Sequence, residues 1–258
     1  MFDRLQGKTT VITGASAGFG EATALLFAKH GSNLILTARR ENLLEKLQQR
    51  IQEKYPKIKV FTIKLDVTDH QAVIDAFKNL PEWADKIDVL VNNAGLAHGF
   101  DLLKDVPESS IDIMFNTNVK GLIWVSQQIL PRMIEQNSGH IINVGSIAGQ
   151  AAYSNGSIYC ASKFAVHAIS DSLRIETNAT KIKVTEICPG MAETEFSLVR
   201  FGNDKNKADN VYKGIDPMVA EDIAEMIAFT ASTHPRCVVS SLTCLANGQA
   251  NPFIVHRE

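Results

Sequence analysis

Tyr159 and Lys163 stand four residues apart in the stretch Ser157-Ile-Tyr-Cys-Ala-Ser-Lys-Phe-Ala165, and on a helix that spacing stacks both side chains on one face. A phenol carries protons poorly at neutral pH, because its ordinary pKa is about 10 and bringing it near 7 takes roughly 4 kcal/mol. An ammonium about 4 Å away supplies roughly that much at an effective dielectric near 20. The pair therefore has the makings of an acid/base for a carbonyl or alcohol whose carbon gains or loses a hydride. A solvent-facing Tyr with a Lys one turn later shows the same spacing, so the pair decides nothing until the elements around it are placed.

A helix beginning near Ser157 is predicted to carry the pair, with Ala161, Phe164, Ala165, Ala168, Ile169 and Leu173 as its buried stripe. Ahead of it, His140 to Val144 reads as a strand that delivers Gly145-Ser146 at its C-terminal end, where open α/β sheets bind ligands. Near the N-terminus, a strand from Lys8 to Thr13 leads into Gly14-Ala-Ser16-Ala-Gly18-Phe19-Gly20 and then a helix ending at Gly31. Strand, glycine loop and helix in that order form a nucleotide-binding turn, in which the backbone approaches a pyrophosphate and the helix N-terminus offers it free N–H groups. A purely structural turn has the same composition.

The strand Asn33 to Thr37 ends in Ala38-Arg39-Arg40, about where an acidic residue would hold the ribose of NAD. Guanidinium groups fork onto phosphate, so Arg39 and Arg40 make NADP the expected cofactor. Alternatively both only flank the helix running to Gln52, and Glu41 takes the ribose. After a third strand, Lys59 to Leu65, Asp66 and Val67 are placed at the adenine edge, and Thr68-x-x-Gln71 is predicted to form a capping box. The fourth strand, Ile87 to Val91, runs into Asn92-Asn93-Ala94-Gly95, whose small residues permit a second backbone approach to the cofactor.

Pro107 opens a helical region carrying Asn116 and Asn118, expected to bend or break at Pro131 and to end before Gly139. Those asparagines either satisfy one another or hold a water chain. A sixth strand, Lys183 to Cys188, leads to Pro189-Gly190 and a long polar loop to about Pro217, with the length of a lid. A helix from Ala220 to Ser232, an apolar strand from Cys237 to Leu245 and a tail from Ala250 follow. Strand and helix alternate over residues 1–258 without a linker, which predicts one α/β domain, a doubly wound parallel sheet of about seven strands with helices on both faces.

Composition excludes several classes. With 258 residues, 45% hydrophobic, 21% charged and a net charge of −2, nothing indicates a nucleic-acid-binding surface. No apolar run reaches spanning length and the N-terminus lacks an apolar signal core, so neither a membrane span nor export is expected. Cys160, Cys188, Cys237 and Cys244 follow no metal-ligand spacing, so no metal is expected and they read as reduced thiols of a cytoplasmic protein, the nucleus left open.

Taken in order, Thr13-Gly14-x-x-x-Gly18-x-Gly20, Asn92-Asn93-Ala94-Gly95, Asn118, Ser146, Tyr159-x-x-x-Lys163 and Pro189-Gly190-x-x-x-Thr194 resemble the short-chain dehydrogenase/reductase family over nearly the whole chain. That resemblance implies a Rossmann-like fold and a catalytic tetrad of Asn118, Ser146, Tyr159 and Lys163. Tyr159 would be the acid/base, Ser146 would bond the reacting oxygen, Lys163 would lower the tyrosine pKa and hold the nicotinamide ribose, and Asn118 would anchor a proton-relay water. Thr194 and the backbone after Pro189 would lie near the nicotinamide amide. Gly18-Phe19-Gly20, Arg39-Arg40, the run from Thr194 to Phe201 and Val255-His256-Arg257 are similar to the NADP-dependent 3-hydroxy acid dehydrogenases, which act on serine and allo-threonine and are typically homotetramers.

The expected partners are thus a small-molecule substrate and other copies of the chain. A substrate carboxylate would need a cation, for which Arg200 on the lid is the candidate, beside Ser146 and Tyr159 as substrate contacts; a solvated salt bridge is its alternative role. The rival functions are a broad carbonyl reductase for uncharged ketones and aldehydes, and an NADP-responsive binding protein without chemistry.

Overall fold

The computed structural model describes residues 2–258. Seven strands form one all-parallel sheet in the order β3-β2-β1-β4-β5-β6-β7. They are β1 (Thr9–Thr13), β2 (Asn33–Ala38), β3 (Val60–Lys64), β4 (Val89–Asn92), β5 (Gly139–Val144), β6 (Ile182–Pro189) and β7 (Ser241–Cys244). A parallel sheet needs cover on both faces, which is why β1 and the inner residues of β2 and β5 are buried throughout. The order reverses between β1 and β4, and the loops leaving those two strands part there to leave a crevice.

One face is covered by α1 (Gly18–Lys29), α2 (Glu41–Lys54) and α9 (Ala220–Ala231), packed through Phe27, Leu44, Leu47, Ile223 and Ile227 onto Ile12, Leu36 and Val91. The other is covered by α3 (His70–Lys78), α5 (Leu122–Glu135) and α6 (Ser157–Glu176), through Phe77, Ile129, Met133 and Leu173 onto Val11, Leu90 and Val184. Each such fully buried side chain contributes about 1.5–3 kcal/mol over its exposed state. No helix among the described residues is long and apolar enough to cross a membrane.

Local details depart from the sequence-based expectations. The cap of α3 is Asp69, which accepts from the Ala72 amide at 3.0 Å, whereas Thr68 is taken up by Asp66 Oδ1 through both its amide and its hydroxyl. Asp66 competes successfully because it is two residues away, so no Thr68–Gln71 box forms. Pro131 lies inside α5 without ending it. Only one backbone bond is lost there, and the turn beyond is anchored by buried Met133, by Arg132 Nη2 on the Phe77 carbonyl (2.7 Å) and by Gln136 Nε2 on the Ile87 carbonyl (2.7 Å).

Before α5, α4 (Glu108–Phe115) passes into a π-helical turn, Asn116–Gly121, a device common at functional sites. The segment expected to be a loop from Gly190 to Pro217 holds two short helices, α7 (Glu195–Arg200) and α8 (Lys205–Tyr212). Its ends are tied where Ala192 bridges Met218 and the Glu193 amide donates to the Met218 carbonyl at 2.8 Å. The last strand is shorter than Cys237–Leu245 because β7 is an edge, paired with β6 alone.

The buried stripe of α6 matches the predicted one only at Leu173, with Ala165 and Ile169 half-buried. Tyr159, Cys160, Ser162, Lys163, Val166, Ser170 and Leu173 face inward, while Ala161, Ala168 and Phe164 (41% exposed) face out. The sheet beneath α6 is polar in this region, with Asn143 and Glu186 on adjacent strands, so the polar face of the helix finds its partners there.

Candidate active site

A cleft of about 380 Å³ runs across the C-terminal ends of the strands, from Arg39 and Arg40 at one end to Tyr159 and Lys163 at the other. Its floor begins at the loop after β1, where Gly14 (φ +66°) and Gly18 (φ +54°) take left-handed backbone that other residues rarely adopt. No side chain caps α1 at Ala17, so its first N–H groups remain for a ligand. An uncapped helix N-terminus between Ser16 and Phe19, with two guanidinium groups farther along, fits the pyrophosphate and 2′-phosphate of NADP. Arg40 is engaged by Ser16 Oγ at 3.3 Å and by Glu195 Oε2 at 2.9 Å, whereas Glu41 pairs with Lys64 at 3.5 Å. Asp66, Val67, Ala94, Gly95 and Thr194 also line the cleft.

Three predicted cofactor positions shape the cleft without lining it. A Cβ on Gly20 would run into the Gly14 carbonyl and lie 2.6 Å from Asn93 Nδ2, so this glycine serves close packing. Pro189 closes β6, and a Cβ on Gly190 would collide with the Gln249 side chain. Asn93 does line the cleft, but its side chain ties β4 to β1, donating to the carbonyls of Thr13 (2.9 Å) and Gly14 (3.2 Å).

At the other end, Ser146, Tyr159, Lys163 and Asn118 converge from the end of β5, from α6 and from the π-helical turn, all buried. Asn118 accepts from the Leu96 amide (2.8 Å) and donates to the Leu96 carbonyl (2.8 Å) and Ser162 Oγ (3.0 Å). It thus binds the loop after β4 to α6, and the two asparagines do not satisfy each other. Lys163 Nζ donates to the Val144 carbonyl at 2.8 Å and lies 5.9 Å from the centre of the Tyr159 ring. Gly95 keeps space beside it, since a Cβ there would sit 3.6 Å from the ammonium.

The electrostatics differ from the simple picture of an ammonium acidifying a phenol. Burial dominates at Tyr159 and, with Tyr153 nearby, pushes its pKa up, against the neighbouring Ser146 hydroxyl and the charge of Arg200. Burial also lowers Lys163 to about 8, against the charge of Glu186. In the protein alone, then, the phenol holds its proton firmly at neutral pH.

Sequence reasoning missed two neighbours. Glu195 meets Arg40 across the cleft, and Tyr153 joins a cage around Arg200; neither sits at a spacing that announces it. The Arg200 guanidinium donates to the Gly99 carbonyl and the Tyr153 hydroxyl, each at 3.3 Å, and lies over the rings of Phe100 (4.7 Å), Tyr153 (5.7 Å) and Tyr159 (5.9 Å). Its Nη2 is buried with no hydrogen-bond partner. Phe196 packs edge-on against Tyr159 at 5.6 Å, so α7 roofs the same site.

A dinucleotide cleft at the reversal of a parallel sheet, ending on a buried Ser–Tyr–Lys group, defines a nicotinamide-dependent oxidoreductase. The short chain dehydrogenase family model matches residues 8–203, and the chain belongs to that family. It is 42% identical to an NADP-dependent 3-hydroxy acid dehydrogenase of Schizosaccharomyces pombe, covering 99% of this chain and 98% of that one. Similarity extends to a sulfoacetaldehyde reductase of Chromohalobacter salexigens (41% identity, 96% and 98% covered) and a serine 3-dehydrogenase of Rhizobium radiobacter (39%, 97% and 98%). The closed form of a serine dehydrogenase complexed with NADP+ superposes with a TM-score of 0.90 at 35% identity, covering 97% of this chain and 100% of that one.

Proposed function

We propose that this protein is an NADP-dependent dehydrogenase of small 3-hydroxy acids such as serine or allo-threonine, with Asn118, Ser146, Tyr159 and Lys163 as its reaction centre and Arg200 as its carboxylate anchor. The observation that carries the reading is the buried, unpartnered Nη2 of Arg200, held in a guanidinium lying over the Tyr159 ring. A half-buried cation with one buried donor left free calls for an anion. The substrates that the relatives' names print, hydroxy acids, serine and sulfoacetaldehyde, all carry an acidic group.

NADP, when bound, supplies the acceptor for the hydride from the alcohol carbon. Tyr159 Oη takes the hydroxyl proton in oxidation and returns it in reduction. Ser146, beside Tyr159 and with its Oγ accepting from the Ala148 amide at 3.1 Å, holds the substrate oxygen. Lys163 adds positive charge beside the phenol, and Asn118 fixes the turn on which both rest. Thr194, Phe196 and Val199 on the 190–217 segment act as a lid that excludes water.

The test is a kcat/KM comparison of a 3-hydroxy acid with its neutral methyl ester, in wild type and Arg200→Met. Loss of a hydrogen-bonded charge partner costs roughly 1.5–3 kcal/mol, so the variant is expected to lose about 10- to 100-fold on the acid and little on the ester. Equal wild-type efficiency on both, unchanged by the substitution, favours instead a broad carbonyl reductase.

The same reading makes the protein a cytoplasmic homo-oligomer, a tetramer. The outward face of α6, with Phe164 and with Ile175 72% exposed, and the tail residues Phe253 and Ile254 supply apolar surface for subunit contacts. Light scattering on the purified chain tests it, and a monomer at micromolar concentration contradicts it.

A further inference from the structure

Beneath α6 the sheet carries a row of polar side chains in register across four strands, Asn92 on β4, Asn143 on β5, Glu186 on β6 and Ser241 on β7. The asparagines are explained by their bonds, Asn92 to Asn143 Oδ1 and Ser126 Oγ and Asn143 to Ser170 Oγ, each at 2.9 Å. Glu186 is not explained by the reaction centre as described. Its side chain is 1% exposed, Oε2 lies 2.6 Å from His167 Nδ1, and Oε1 is buried without a hydrogen-bond partner. That free oxygen faces Gly145, since a Cβ on Gly145 would collide with it. Gly145 directly follows Val144, whose carbonyl holds the Lys163 ammonium.

On the helix above, Tyr159, Lys163, His167 and Asp171 recur every fourth residue and so share one face. The half-exposed His167 imidazole reaches solvent at one edge and Asp171 at 3.6 Å through Nε2, while its other nitrogen grips the buried carboxylate. A buried carboxylate bonded to His167 on one oxygen and with only the Cys188 thiol available to the other, next to the residue that seats the ammonium, is costly unless a nearby positive charge offsets it.

We infer that Glu186 and His167 form a positioning pair whose net charge sets how firmly Lys163 holds its proton, and that His167 couples this proton affinity to the pH of the solvent. The inference rests on the reading of Tyr159 and Lys163 as the proton-transfer couple. The groups around the pair are few. Lys163 and His167 from α6 and Cys188 from its own strand face Glu186, the adjacent strands bring neutral Asn143 and Ser241, and Asp171 and Arg174 stand around His167. Burial pushes Cys188 up to about 12, so it stays a neutral thiol. Glu186 raises the Lys163 pKa against burial, and its hydrogen bond raises that of His167. When His167 loses its proton the pair gains net negative charge, which strengthens proton binding at Lys163.

The test is NMR of the full chain labelled with 13Cε-lysine and 13Cε1-histidine, the Lys163 signal assigned by its loss in Lys163→Arg. In wild type the Lys163 titration should show a second inflection at the pH where His167 titrates. Glu186→Gln, an isosteric change, should move the Lys163 midpoint down by about one pH unit, together with the alkaline limb of carbonyl reduction. Glu186→Asp, which keeps the charge, should bring both back towards wild type. A wild-type Lys163 curve without the His167 inflection, superimposable curves for wild type and Glu186→Gln, or an Asp variant that behaves like the Gln variant each overturns the inference. Absence of turnover in wild type alongside the predicted lysine shifts overturns the functional reading and leaves the pair's action on Lys163 standing.

Discussion

At the scale of single residues, spacing identified the Tyr159–Lys163 couple but not its electrostatics. Four residues of separation fix two side chains to one helix face whatever surrounds them. The pKa of each depends on burial, which only the folded chain reveals. Burial raises Tyr159, so carbonyl reduction, which needs the phenol, should hold its kcat/KM through neutral pH and fall only on the alkaline side. Alcohol oxidation, which needs the phenolate, should climb with pH over the same range. Profiles in both directions check this, and an oxidation rate that is flat or falls above neutrality contradicts it. Arg200 shows the same limit from the other side: its residue type was legible, its aromatic cage was not, because Phe100, Tyr153 and Tyr159 come from separate segments. Glu195 was missed for that reason too. It shares Arg40 with any incoming 2′-phosphate, and both partners are about half exposed (45% and 53%). An exposed pair of this kind is worth about 0.2–1 kcal/mol, so Glu195→Gln should tighten NADP binding by roughly 1.5- to 5-fold and leave NAD binding unchanged. Titration calorimetry with both nucleotides measures it.

At the scale of elements, the strand–loop–helix order was legible because punctuation by Gly and Pro and the alternation of apolar runs are local properties. What misled was competition between local options. Asp66 captured Thr68 before a capping box could form, and flanking tertiary bonds carried α5 through Pro131. The shifted stripe of α6, where Ala161, Phe164 and Ala168 face out, is the clearest case: an apolar periodicity marks a buried face only if the surface below is apolar, and here it is polar. The glycine loop illustrates the opposite, a motif whose members divide their labour. Gly14 and Gly18 supply backbone conformation, whereas Gly20 lets α1 approach the loop after β1. Gly20→Ala forces a methyl against the Gly14 carbonyl and Asn93 Nδ2. Such overpacking costs about 1–3 kcal/mol, so the variant should unfold at lower denaturant and bind NADPH more weakly. Unchanged stability would contradict this division.

At the scale of the whole molecule, the seven-stranded parallel sheet followed from the alternation of elements, since parallel pairing needs a crossover after every strand. The folded chain also carries a titration invisible in sequence. His140 sits in the middle of the sheet, and because Thr185 spends its hydroxyl proton on the Val239 carbonyl, the imidazole donates to it through Nε2. Burial holds its pKa well below the ordinary 6.5, so the unfolded chain binds a proton there that the folded one does not. Stability due to this group is complete above pH 6.5 and is lost as pH falls below it, by at most about 1.4 kcal/mol per pH unit. Urea unfolding at pH 5.5 and 7.5 in wild type and His140→Gln should show a smaller pH effect in the variant. In the proposed mechanism the sheet, the cleft and the buried helix face serve one atom, the Tyr159 hydroxyl oxygen, and removing it tests the account most directly. In Tyr159→Phe the NADPH dissociation constant should stay within about twofold of wild type while kcat/KM for the hydroxy acid falls at least 100-fold; a variant keeping more than about a tenth of wild-type activity would contradict the account.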